Sequence, residues 1–193
     1  MRIGLLGGSF NPSHEGHRHL ALLARRKLRL DQIWLLVSPG NPLKPQRGMA
    51  SLAQRLAGAR KLGDGRRVVA TAIEALLGTR YTVNTLRTLL RRFPRARFVW
   101  IMGADILEQL PRWRRWQEIL RHIAIAVLPR PGYNQRALAG QVAKRMRHMR
   151  RSERSAPLLP GKAPGWVFLH ARQNPTSASA IRAAAKQLSA QEP

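Results

Sequence analysis

Along this chain, short and nearly unbroken apolar runs alternate with stretches in which apolar positions recur every three to four residues. The runs RIGLLG (2–7), QIWLLVS (32–38), RRVVATA (66–72), RFVWIMG (97–103) and HIAIAVL (122–128) predict strands covered on both faces, since a strand with one wet face would alternate. WVFL (166–169) is a sixth candidate. In 17–28, Leu20, Leu23, Ala24 and Leu28 share one helical face, and similar spacing predicts helices over 51–63, 82–92, 113–121, 136–150 and 179–189. Strand followed by helix, repeated, implies an α/β fold: one Rossmann-like, doubly wound parallel sheet with helices on both faces. No repeat or linker divides the chain, so residues 1–193 are read as a single domain, with 129–165 its most irregular stretch. Ligands of such sheets sit beyond the carboxyl ends of the strands, which lines up 7–17, 38–44 and 103–105 along one rim.

Composition narrows the partners. A chain of 193 residues that is 44% hydrophobic and 23% charged is globular material with enough length for a real core. No apolar run approaches the roughly 18 residues of a membrane span. The apolar start is cut off by Gly7, Gly8 and Pro12, too early for a secretory leader, so a cytoplasmic protein is expected. The absence of cysteine excludes disulfides and thiolate metal sites, which fits a reducing compartment. The net charge of +26 attracts polyanions, nucleotides or acidic surfaces. The cations are scattered through every helical stretch and cluster only in KRMRHMRRSER (144–154), where no aromatic is interleaved to stack on bases. The charge is therefore read as a solvated surface rather than a specific nucleic-acid interface.

The stretch GGSFNPSHEGHRHL (7–20) carries the chemistry. It lacks the G-x-G-x-x-G of dinucleotide folds, and GKA at 161–163 has alanine where a phosphate loop needs a hydroxyl. His14-Glu15-Gly16-His17 is one residue short of a protease zinc motif, and His19 would point away on the helix, so no protein-held metal is expected. Glycines at a strand end admit a ligand against bare backbone, and a helix beginning near residues 15–17 offers free N–H groups to an anion. His14 and His17, three apart, project from the same side of its first turn. Two imidazole donors beside a helix N-terminus suit a phosphate chain.

This stretch resembles the H-x-G-H motif of the nucleotidyltransferase superfamily that shares ancestry with class I aminoacyl-tRNA synthetases, with Asn11 where many relatives carry Asp. Gly103, Asp105, Leu107, Trp113, Trp116, Ile119 and Leu120 in MGADILEQLPRWRRWQEIL (102–120) resemble the corresponding segment of bacterial nicotinate-nucleotide adenylyltransferases. RYTVNTL (80–86), RPGY (130–133) and TSASAIR (176–182) extend that resemblance over nearly the whole chain. Thr71 stands where relatives often have an acid, although Glu74 is present.

The resemblance implies His14 and His17 as catalytic residues. It implies ATP contacts at Gly8, Ser9, Phe10, His17, Gly103, Asp105, Ser177, Ser179 and Arg182. It implies nicotinate mononucleotide contacts at Asn41, Lys44, Tyr81, Thr82, Thr85, Asp105, Trp113 and Arg130. Their chemistry agrees with those roles. Asp105 can accept from ribose hydroxyls, Trp113 can stack on a pyridine ring, and a helix start near Thr82–Thr85 supplies N–H donors to a carboxylate. Ser177 and Ser179 offer hydroxyls, and Arg182 a bidentate fork. The implied reaction joins ATP and nicotinate mononucleotide into nicotinate adenine dinucleotide and pyrophosphate, with Mg²⁺ held mainly by the ATP phosphates. Alternatives are a pantetheine-phosphate type of adenylyltransferase and a basic, nucleic-acid-binding module on the same scaffold. Oligomeric state is not readable from the residues.

Overall fold

The computed structural model describes residues 1–40 and 48–172, and beyond them 176, 178, 181–183 and 187. Seven parallel strands form one sheet: β1 (Arg2–Gly8), β2 (Gln32–Val37), β3 (Val68–Thr71), β4 (Arg97–Gly103), β5 (Ala124–Leu128), β6 (Arg150–Arg151) and β7 (Trp166–Phe168). Their spatial order is β3-β2-β1-β4-β5-β7-β6. The chain thus winds outward from β1 to one edge and then returns to β4. Strand order reverses between β1 and β4, where Leu5 pairs with Trp100, and that reversal opens a crevice at the carboxyl ends.

The helices divide between the two faces. α1 (Glu15–Lys27) and α2 (Leu52–Arg60) cover one, burying Leu20, Leu23, Ala24 and Ala59 against Ile33, Leu35 and Ile101. α3 (Ile73–Leu76), α4 (Thr82–Arg92), α5 (Ala104–Gln109), α6 (Trp116–His122), α7 (Asn134–Ala139) and α8 (Gln141–Arg145) are on the other side, where Val83, Leu86, Leu107, Ile119 and Val142 pack on Ile3, Leu5, Trp100 and Ile125. All five residues of β5 are buried, as expected of a strand roofed on both sides. The expected doubly wound sheet is therefore present, with the central strands where the apolar runs place them.

Three expectations change. The helix read over 136–150 is broken at Gly140, whose extended backbone ends α7 and starts α8, and a two-residue edge strand follows at Arg150–Arg151. The helix read from 113 begins at Trp116, because Arg115 takes a left-handed conformation (φ 53°) that stops a helix from running through it. α5 is a further helix beyond those the spacing predicts: its six residues follow β4 directly and are too few to show a helical period. The helix read over 179–189 lies mostly outside the described residues. Among the described residues, no helix is long and apolar enough to cross a membrane.

Candidate active site

The site is built where β1 hands over to α1. Gly7 lies under the Trp100 ring, so close that a Cβ there would meet it at 2.7 Å. After Gly8 and Ser9 the chain turns through Phe10, which has a positive φ of 50° while its ring is 1% exposed. His14, in extended conformation, caps α1. Its backbone N–H donates to Nδ1 of His17 at 3.3 Å, and the backbone N–H of His17 donates back to the His14 carbonyl at 2.9 Å. Because Nδ1 of His17 accepts, the ring proton resides on Nε2.

The two imidazoles stack at a tilt, with ring centroids 3.9 Å apart and planes inclined by 38°, and the Phe10 ring lies 4.7 Å from His17. Gly16 makes this stacking possible: a Cβ on it would sit 2.8 Å from Cε1 and Nδ1 of His14 and 2.9 Å from the Thr176 carbonyl. The central glycine of the H-x-G-H motif is thus a space requirement as much as a backbone one. Burial, followed by the neighbouring His14 and then Arg130, pushes the His17 imidazole down to about 3. Burial and Arg130 also lower His14, whose buried Nδ1 meets no hydrogen-bond partner among the described residues. Both rings are consequently neutral near pH 7 and act as dipolar donors rather than cations.

β4 supplies the other wall. Gly103 leads directly into α5, and a Cβ there would strike Oδ1 of Asp105 at 2.3 Å and Cγ of Arg130 at 3.0 Å. Oδ1 of Asp105 faces Nε of Arg130 at 3.7 Å and has no hydrogen bond among the described residues. Arg130 also donates to the Thr176 carbonyl at 3.5 Å. It therefore belongs to the same cluster as the histidines. Arg182 donates to the Asn11 carbonyl, placing it at the β1–α1 loop. Gly8, Ser9, Phe10, His14, His17, Gly103, Asp105, Arg130 and Arg182 are thus gathered at one crevice. Asn41, Lys44, Ser177 and Ser179 lie outside the described residues.

The second group sits at the start of α4. Tyr81 and Thr82 are half-buried, and the Arg114 guanidinium lies 4.7 Å above the Tyr81 ring. Trp113 is half-buried and meets Trp100 edge to face at 6.3 Å; Trp116, at the start of α6, is half-buried as well. Thr85 departs from its expected role. It is 0% exposed, and its hydroxyl is shared among Oε1 of Glu74 at 3.0 Å, Oγ1 of Thr79 at 2.9 Å and the Tyr81 carbonyl at 3.4 Å. Its polar group is committed inside the protein because the helical register turns position 85 toward the sheet along with Leu86 and Leu89. Burial raises the Glu74 carboxyl, with the bond from Thr85 opposing it.

Sequence reasoning missed Arg55. Its guanidinium, on a residue 4% exposed, binds backbone carbonyls of the loops after β1 and β2. In the sequence it is one of 35 Lys and Arg, and only its buried position sets it apart. Among the described residues, no group of three or more His, Asp and Glu side chains could hold a metal ion.

The chain is similar to known proteins in sequence and in fold. The cytidylyltransferase-like family model matches residues 5–184. The chain is 57% identical over 183 residues to "Probable nicotinate-nucleotide adenylyltransferase" of Gluconobacter oxydans, covering 94% of each protein. It is 50% identical to the protein of that name in Parvibaculum lavamentivorans, over 94% of this chain and 91% of that one. In fold it is similar to the Plasmodium falciparum nicotinic acid mononucleotide adenylyltransferase solved with NaAD, at a TM-score of 0.68 and 15% identity, covering 94% of this chain and 82% of the other. A paired-imidazole helix start at the sheet's reversal point, and identity above half across nearly the full length of a relative, lead to one placement: the chain belongs to the cytidylyltransferase-like family and, within it, to the nicotinate-nucleotide adenylyltransferases.

Proposed function

We propose that this protein transfers the adenylyl group of ATP to the phosphate of nicotinate mononucleotide, giving nicotinate adenine dinucleotide and pyrophosphate. The observation that carries the reading is the stacked, neutral pair His14 and His17 at the N-terminus of α1, with Arg130 and Asp105 beside it. The acceptor phosphate oxygen, already anionic, forms a bond to the α-phosphorus of ATP in line. The bond from that phosphorus to the bridging oxygen breaks, and its electron pair leaves with pyrophosphate. Such a nucleophile needs no general base. That suits a site whose two imidazoles resist protonation and whose carboxylate faces an arginine.

Catalysis then consists of orientation and charge stabilisation. Nε2–H of His17 donates to phosphate oxygens as negative charge grows toward the leaving group. The free N–H groups of α1 and the guanidinium of Arg130 add to the same field. Asp105 accepts from ribose hydroxyls, and the half-buried Trp113 offers its ring to the pyridine. Ser177, Ser179 and Arg182 serve the triphosphate, and Asn41 and Lys44 the acceptor. Mg²⁺ would enter with ATP, held mainly by its phosphate oxygens and water. The ion would neutralise phosphate charge as pyrophosphate leaves.

The test is an initial-rate assay of pyrophosphate release with ATP and a panel of acceptors: nicotinate mononucleotide, nicotinamide mononucleotide and phosphopantetheine. Turnover fastest with nicotinate mononucleotide is expected. Preference for phosphopantetheine, or no turnover with either pyridine nucleotide, would overturn the reading.

A further inference from the structure

We propose that Arg55 is a positioning residue for this reaction, holding the Ser9–Phe10 backbone and, through the Phe10 ring, the orientation of His17. Its donors are spread over three segments. Nε reaches the Ala50 carbonyl at 2.9 Å, one terminal nitrogen reaches the carbonyls of Ser9 at 2.9 Å and Ser38 at 2.7 Å, and the other reaches Pro39 at 3.4 Å. These carbonyls belong to the turn before α2 and to the loops just beyond β1 and β2, strands that pair as far as Gly8 and Val37. Among the described residues, no carboxylate lies within ion-pair distance of it.

A buried cation without a counter-ion is a poor choice for stability alone, since an apolar side chain of like volume avoids the desolvation. Burial pushes the Arg55 guanidinium down from its ordinary value, a sign of the same cost. What the group offers instead is a rigid planar fork that can tie several carbonyls at fixed angles. Immediately after Ser9, Phe10 takes the left-handed backbone that side-chain-bearing residues adopt only where the surroundings over-determine it. The bond from Arg55 to the Ser9 carbonyl is one such determinant. The Phe10 ring, held in that way, lies 41° to the His17 imidazole. Because the guanidinium is occupied by carbonyls, it acts through His17 and does not bind substrate.

The proposal rests on His17 being the phosphate donor, and its test separates the two. Arg55→Lys and Arg55→Met are compared with wild type by kcat, by KM for each substrate, and by nitrogen-15 spectra of the histidine rings. A fall in kcat of about 10- to 100-fold is expected in the folded variants, in line with a displaced catalytic group. KM for each substrate should change less than about threefold. The His17 titration should move upward as Phe10 loosens, with His14 and Arg130, the charged or titratable groups facing it, left in place. Phe10→Leu should show the same deficit and combine non-additively with Arg55→Lys, because both act through one ring.

Wild-type kcat with an unchanged His17 spectrum in folded Arg55→Met, or additive losses in the double variant, would overturn the proposal. Should Arg55→Lys fail to fold, Arg55→Met and Phe10→Leu decide the question alone. His17→Ala, run alongside, is expected to lose about 100- to 1,000-fold in kcat. Full activity there would refute the role of His17 itself, a separate failure.

Discussion

Replacing Gly16 by alanine tests whether the H-x-G-H glycine exists to let the two imidazoles stack. The added Cβ would stand 2.8 Å from the His14 ring and 2.9 Å from the Thr176 carbonyl, where ordinary contact begins near 3.4 Å. The His14 ring, or the turn carrying it, must therefore yield by about 0.6 Å, the difference between those distances. A catalytic group misplaced by about 1 Å costs roughly 100-fold in rate, so a loss of about 10- to 30-fold in kcat is expected. Stability should respond far less. Alanine is favoured over glycine in a helix by about 1 kcal/mol, which offsets part of the overpacking cost of about 1–3 kcal/mol. The assay pairs initial rates of pyrophosphate release with a thermal melt of the same preparation. Wild-type turnover in folded Gly16→Ala would show that the glycine is not holding space for His14. A rate loss matched by an equal unfolded fraction would show that its role is only stability.

Other outcomes follow from the same geometry. Trp113→Ala should raise KM for nicotinate mononucleotide more than KM for ATP, and equal effects on both would make Trp113 packing alone. Thr85→Val removes the hydroxyl that serves Glu74 and should destabilise the fold by about 1–3 kcal/mol in a denaturant titration, while Thr85→Ser restores most of it. Undiminished stability in Thr85→Val would dismiss that bond as structural. The neutral His17 makes stability pH-dependent. Its folded value of about 3 lies below the unfolded value near 6.5, so its contribution is full above pH 6.5 and is lost as pH falls toward 3. By pH 3 the loss attributable to this ring is on the order of a few kcal/mol, so the wild-type melt should drop more steeply with acid than that of His17→Ala. Parallel slopes would exclude a neutral His17 in the folded protein.

The residues alone carry the frame of this protein. Unbroken apolar runs as short as AIAVL in β5, bounded by polar residues, read as strands covered on both faces, and helices between them point to a parallel, doubly wound sheet. From that frame follow the rim, the glycine-rich entry to α1, and the pairing of His14 with His17, because a spacing of three on a helix is a contact written directly into the chain. What needs tertiary structure is whatever depends on meetings between distant segments. Arg130 comes up beside Asp105 only when β4 and β5 align, and its charge adds to burial in keeping both histidines neutral. Thr85 reads as a ligand contact until the helical register buries it against Glu74. Arg55 is indistinguishable from the other cations until folding removes it from water and surrounds it with carbonyls. Periodicity records which way a side chain faces, whereas charge state and partner depend on burial and on neighbours that only the closed fold supplies.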